Sequence, residues 1–215
     1  MANNKGKKST ILKDAFALTL ITIICSFALA FVYEITKEPI RNQADARKNA
    51  GYKVVFADAK SLVTDEELVK LASETDLSTL DSGFAGVTID DVVQALDDNG
   101  NIIGYIIATK TRGYASTIKV AVGYALDGTV QGIELLEIGD TPGFGMNADT
   151  PEFKSKFAGV QTNQFVVTKS GSSTDNEIDV VSSATITTDA VVRATNAGIG
   201  FLVEKAEGLG GAINE

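Results

Sequence analysis

The 215-residue chain contains no histidine. That removes the Ser-His-Asp and Cys-His arrangements and every zinc site built on imidazole. It contains one cysteine, Cys25. A single thiol excludes an internal disulfide, a Cys-x-x-Cys redox pair and a protein-ligated iron–sulfur cluster. Basic residues are in deficit: 19 Lys and Arg face 28 Asp and Glu, a net charge of −9. A nucleic-acid binder needs a basic face, so that class is disfavoured. The length still allows one sizeable core plus an anchor. If such a chain handles electrons, it must use a cofactor held without thiols or imidazoles.

The first segment that is present in strength is apolar. Residues 1–13 are polar, with Lys5, Lys7, Lys8 and Lys13 and no acid, and read as a flexible cytoplasmic tail. Ala15 to Tyr33 carries no charge and approaches the roughly 20 residues a spanning helix needs. Residues 14–33 are therefore expected to be a transmembrane helix. A cleaved signal peptide is the rival, because Ala28-Leu29-Ala30 has the small-x-small pattern of a cleavage site. The apolar run continues through Phe31, Val32 and Tyr33, which favours the anchor. Cys25 follows Ile24, too large for the residue before a lipidated cysteine, and reads as a helix residue. The lysines stay inside, and everything after Tyr33 goes outside. The charged stretch Glu34 to Lys48 continues the helix as a stalk with a kink at Pro39. Residues 34–82 form stalk and lead-in, with a short helix over Thr64 to Ser73.

From Gly83 the pattern turns to strands. Ile102 to Thr109, Thr117 to Leu126 and Val130 to Ile138 read as a small antiparallel sheet, with turns at Asp97-Asp98-Asn99-Gly100 and Asp127-Gly128. The acidic pair Asp97-Asp98 lacks the regularly spaced oxygen ligands of a calcium loop and reads as a turn. Thr150 to Phe157 starts as a helix, capped by Thr150 with Pro151 in first position. Phe165 to Thr168 and Ile178 to Val181 are short strands. Val191, Val192, Ile199, Leu202, Val203 and Ala206 recur at helical spacing, giving a last helix from about Thr188 to Ala206. The fold class is α+β: one membrane helix, then a single extracytoplasmic domain over 83–207, a small antiparallel sheet flanked by helices. Residues 208–215 read as a frayed tail.

Two stretches carry chemistry. The first is Asp179-Val180-Val181-Ser182-Ser183-Ala184-Thr185, a hydroxyl cluster where a strand or loop gives way to the last helix. Read locally it is an N-cap. A helix start also has unpaired amides and a partial positive charge, which stabilise a phosphate. The second is Asp140-Thr141-Pro142-Gly143-Phe144-Gly145, locally a turn in which the second glycine allows positive φ. Gly143 and Gly145 let backbone approach a flat ring. Phe144 fits either a ring face or the core, Tyr114 either stacking or exposure, and Arg112 and Lys110 either a phosphate or solvent.

Together the two stretches resemble the FMN-binding domain family over roughly Gly83 to Leu202. Its flavinylation motif is Asp, two spacers, Ser or Thr, Gly, Ala, Thr; its other loop is Glu-Thr-Pro-Gly-Leu-Gly. Here Ser183 stands where the family usually has Gly, Asp140 replaces Glu, and Phe144 replaces Leu. The resemblance implies FMN joined covalently through a phosphoester to Thr185, with Ser182, Ser183, Ala184, Thr141, Gly143, Phe144 and Tyr114 as further cofactor-binding residues. In this order, the two motifs resemble the RnfG subunit of Rnf-type complexes, which couple electron transfer between ferredoxin and NAD to Na+ or H+ translocation. The similar flavin-carrying subunit of the sodium-pumping NADH:quinone reductase and stand-alone extracytosolic flavoproteins are the alternatives. The implied partners are the other membrane, iron–sulfur and flavin subunits and an FAD-dependent flavin transferase. The chain itself is then an electron carrier in the cell membrane, with no catalytic base or nucleophile and no metal. The non-redox alternative is an anchored surface binding module.

Overall fold

A computed structural model describes residues 5–206, with side chains from residue 11. Helix α1 runs from Lys5 to Val55 with Pro39 inside it. The compact units divide within this helix, residues up to Arg47 forming one and those from Lys48 the other. In the first unit the helix begins inside the segment expected to be a flexible tail, at Lys5. Its apolar side chains face outward: Phe16, Phe27, Leu29 and Tyr33 are all exposed. A helix of this length and composition is able to cross a membrane. Helix continues through Pro39, so the missing amide at that position does not end it.

The second unit is built on one antiparallel sheet in simple sequence order. Its strands are β1 (Ser61–Thr64), β2 (Thr88–Leu96), β3 (Ile102–Arg112), β4 (Thr117–Ala125), β5 (Thr129–Ile138) and β6 (Val160–Gln161). The strands expected over 102–138 are present, each at or within a few residues of its bounds. The turn between β2 and β3 is an Asx turn: Asp97 Oδ1 accepts from the Asn99 and Asn101 amides, and Oδ2 from Asn101 Nδ2. Gly128 takes φ +83° in the β4–β5 turn, where Asp127 accepts from the Thr129 amide.

Sequence reasoning did not find β1. Thr64 ends that strand, and the cap of helix α2 (Glu66–Glu74) is Asp65, which accepts from the Leu68 amide. The expected lead-in therefore contributes an edge strand of the sheet, paired to β2. Four residues of mixed polarity carry too little alternation to reveal a strand alone.

Both faces of the sheet are covered, which is why its central strands read as nearly continuous apolar runs. On one face lie Tyr105, Ile107, Val120, Val122 and Leu135, in the same core as helix α4 (Thr185–Lys205). The other face is rich in small residues, Ala95, Ala108, Ala121 and Ala125 beside Val93 and Ile106, and receives Tyr52 and Val55 from the end of α1 and Phe56 just after it. The approach is close: a Cβ on Gly123 would lie 2.2 Å from the Val55 carbonyl oxygen. Polar groups finish this edge. Lys48 pairs with Asp91 at 2.6 Å, and the Tyr52 hydroxyl donates to the same oxygen at 3.1 Å. Burial, with the Asp91 charge beside it, raises the Tyr52 phenol well above its ordinary value.

After β5 the chain forms a 3-10 turn over Gly145–Asp149 and the short helix α3 (Pro151–Lys154). Thr150 precedes α3 in extended conformation but makes no side-chain cap; its hydroxyl donates backward to the Asn147 carbonyl. The remaining strands, β7 (Val166–Thr168) and β8 (Glu177–Asp179), pair in parallel as a separate ribbon. Helix α4 starts three residues earlier than its apolar spacing indicated, at Thr185. The expected tail over 208–215 lies outside the described residues.

Candidate functional site

The two motifs meet. A cavity of about 530 Å³ is lined by Tyr114 from the β3–β4 connection, by Asp140, Thr141, Phe144 and Gly145 from the loop after β5, and by Ser183, Ala184, Thr185, Ile186 and Thr187 at the start of α4. That size lies in the range of small-molecule sites. Of the residues expected to bind cofactor, Tyr114, Thr141, Phe144, Ser183, Ala184 and Thr185 are on its wall, and Ser182 and Gly143 are not.

The hydroxyls of the cluster differ in what they are free to do. Thr187 donates to Asp140 Oδ2 at 2.6 Å. Thr188 donates to the Ala184 carbonyl and accepts from the Val181 amide, fixing the turn that enters the helix. Both are buried. Ser182 is exposed and off the wall. Ser183 and Thr185 are on the wall, and no hydrogen bond engages either side chain among the described residues. Thr185 is the first residue of α4 rather than its cap. Ala184 occupies the cap position, and no side chain caps the helix. The first-turn amides are thus left for water or a ligand.

Asp140 ties the site together. It is 3% exposed. Its Oδ1 accepts from the Ala115 amide at 2.8 Å and from the Ser116 amide at 3.3 Å, while Oδ2 takes the Thr187 hydroxyl. One carboxylate therefore joins the β3–β4 connection, the β5 loop and the last helix. Burial alone would raise its pKa, but the bonds from Thr187, Ala115, Ser116 and Tyr114 together outweigh that and hold the carboxyl below its ordinary value. Sequence reasoning quoted Asp140 only as a substitution in a motif and passed over Thr187 and Ile186. The Asp140–Thr187 bond spans 47 positions, and no local signal reveals it.

The loop glycines act differently from the expectation. Positive φ belongs to the first, Gly143, at +77°. Gly145 has another reason to be glycine: a Cβ there would lie 2.7 Å from Asp140 Cβ and 2.7 Å from Thr187 Oγ1. It lets the loop close on the Asp140–Thr187 pair rather than on a ring. Ser183 has φ +61°, the one non-glycine residue with positive φ among those described. The family's usual Gly at this position has its physical reason there, since the left-handed region is strained for any residue with a Cβ.

The aromatic alternatives resolve toward exposure. Phe144 is 50% exposed, Tyr114 65% and Ile186 54%, so an apolar rim surrounds the cavity. Neither Lys110 nor Arg112 is on its wall. Lys110 pairs with Asp90, and the Arg112 carbonyl accepts from Arg193. Asp179, the first residue of the flavinylation-like motif, ends β8 and lies near Lys156 at 3.8 Å, away from the cavity. For a flavin phosphoester the residues fit. There is room, an apolar aromatic rim for the ring, a free hydroxyl, and a bare helix start for the remaining phosphate charge.

Comparison with known proteins agrees with this geometry. Residues 113–200 match the FMN-binding domain, and residues 1–55 match the RnfG N-terminal region. The chain is 27% identical to the G-subunit of the ion-translocating oxidoreductase complex of Methanosarcina acetivorans, over 89% of this chain and 94% of the relative. It is 26% identical to the G-subunit of the Na(+)-translocating ferredoxin:NAD(+) oxidoreductase complex of Acetobacterium woodii, over 88% and 90%. It is also 26% identical to the proton-translocating counterpart of Clostridium ljungdahlii, over 90% and 91%. One match thus ends where α1 ends, and the other spans both walls of the cavity.

Proposed function

We propose that this chain is the membrane-anchored flavin subunit of an Rnf-type ion-translocating oxidoreductase, and that it carries FMN covalently on Thr185. One observation carries the reading. The only threonine hydroxyl of the cluster that is both on the cavity wall and without a partner among the described residues is that of Thr185. The chemistry of attachment needs a hydroxyl within reach of solvent and a small neighbour; Thr185 is half-buried at the cavity, and Ala184 precedes it.

FMN, when bound, supplies the redox chemistry, accepting electrons from one centre of the complex and passing them to another. The protein supplies position. Thr185 would fix one end of the cofactor by a covalent bond, Phe144, Tyr114 and Ile186 would offer apolar surface to its ring, and the uncapped start of α4 would stabilise its phosphate. Asp140 and Gly145 hold the loop against α4, so the two walls stand in place before attachment. The apolar part of α1 anchors the chain, with the flavin domain on the extracytoplasmic side. There a covalent tether keeps the cofactor from diffusing away. A separate FAD-dependent transferase makes the phosphoester.

Mass spectrometry of the peptide containing Thr185, from native cells, tests the reading. The expected result is an added FMN moiety on Thr185. An unmodified peptide at full occupancy overturns it and leaves an anchored non-redox module.

A further inference from the structure

Among the described residues, Asp140 is the one on the cavity wall that is charged at neutral pH, and no lysine or arginine shares that wall. Its charge is fixed in place. The Ala115 and Ser116 amides and the Thr187 hydroxyl hold its two oxygens. Gly145 packs so tightly beside it that an added Cβ would fall 2.8 Å from Oδ2. Lys110 is engaged with Asp90, Lys154 with Glu134 and Asp149, and Arg193 with Thr111 and the Arg112 carbonyl; Arg112 is exposed and off the wall.

Where an electron arriving on a flavin in this cavity is not matched by a proton, it would add negative charge beside the one already there. Like charges held a few ångströms apart in a partly desolvated site repel far more than in water. The bare start of α4 acts in the opposite sense, but its effect falls off within the first turn. We propose that Asp140 sets the reduction potential of the flavin, holding it low by keeping one fixed negative charge on the cavity wall. This rests on the functional reading above and adds to it a residue that touches the cofactor site without forming the covalent bond.

The test is a spectroelectrochemical titration of the full-length chain, flavinylated at Thr185 and purified in detergent. Asp140→Asn removes the charge and keeps the size. Its midpoint is expected to move positive by about tenfold in the equilibrium constant per electron, which is 59 mV for a one-electron step. Asp140→Ser, neutral and smaller, is expected to move it in the same direction and serves if the first variant does not fold. Thr187→Val takes a donor from the carboxylate but leaves its charge. It is expected to leave the potential unchanged or move it negative, whereas general loosening of the site would shift all three variants alike. Wild-type potentials in both neutral variants, or a positive shift in Thr187→Val equal to theirs, overturn the proposal. Absence of flavin on the wild-type Thr185 peptide is read separately, by mass, and overturns the functional reading instead.

Discussion

Replacing Ser183 by glycine tests whether the turn into α4 is strained. Ser183 has φ +61° and is exposed, with no hydrogen bond of its side chain among the described residues. Nothing is lost with the side chain, so the effect is one of backbone. The left-handed region costs an ordinary residue about 1–2 kcal/mol. Glycine escapes that cost but loses more entropy on folding, about 0.5–1 kcal/mol. The balance is a gain of between about 0 and 1.5 kcal/mol for Ser183→Gly, derived from those two terms. In a domain of this size about 1 kcal/mol corresponds to roughly 2–4 °C in Tm. The opposite control is Ser183→Val, whose branched Cβ makes positive φ a genuine outlier, and which is expected to lower Tm. The assay is thermal unfolding of the full chain in detergent, followed by circular dichroism, for wild type and both variants. A Tm for Ser183→Gly several degrees below wild type, or a Ser183→Val variant as stable as wild type, would refute the reasoning, because the backbone at 183 would then not be left-handed.

Further outcomes follow from the same geometry. Thr185→Ala should abolish in-gel flavin fluorescence of denatured protein made in a host with the transferase. It should change stability by no more than about 0.5 kcal/mol, since Thr185 is not the cap of α4 and bonds to nothing that would be left unpaired. Gly145→Ala should cost about 1–3 kcal/mol, the range for overpacking, by forcing Asp140 and Thr187 apart; urea unfolding measures it, and the yield of flavinylated protein should fall with it. The pH dependence has a definite sign. The Asp140 carboxyl is held below its ordinary value in the folded state, so its contribution to stability is present above about pH 3.9 and is lost as pH falls through the lower folded value. Acid unfolding of wild type should therefore be steeper below about pH 4 than that of Asp140→Asn, read from Tm across the acid range.

Much of this protein is legible in its residue order. The uncharged run from Ala15 to Tyr33 is long and apolar enough for a helix that crosses a membrane, and helix is what forms. The strands over 102–138 announce themselves by β-branched runs between Asx and Gly turns, because a turn's backbone angles are dictated by the residues inside it. Thr185 stands out as well, through two motifs well apart in the chain, and the fold puts it on the cavity wall. What the chain could not reveal locally were features that belong to pairs. Strand β1 exists because β2 offers it an edge, and Thr150 precedes α3 without capping it because its hydroxyl turns back to Asn147. Local pattern also misplaced the start of α4. The apolar spacing placed the start at about Thr188, but the helix begins at Thr185, and Thr187 is held in its first turn by a partner at Asp140.

The composition alone determined which chemistries were closed: without histidine, and with one thiol, these side chains form no imidazole-ligated metal centre, no dithiol redox pair and no cysteine-ligated iron–sulfur cluster. Local sequence determined the anchor, the central strands and the hydroxyl cluster, since each depends on forces acting within a few residues. Tertiary structure decided which hydroxyl is free. Thr187 and Thr185 are the same chemical group two positions apart, yet one is buried against a carboxylate 47 residues away and the other opens on a cavity. A hydrogen bond forms by proximity in space, and for these two threonines that proximity is created only when the loop after β5 folds onto the first turn of α4.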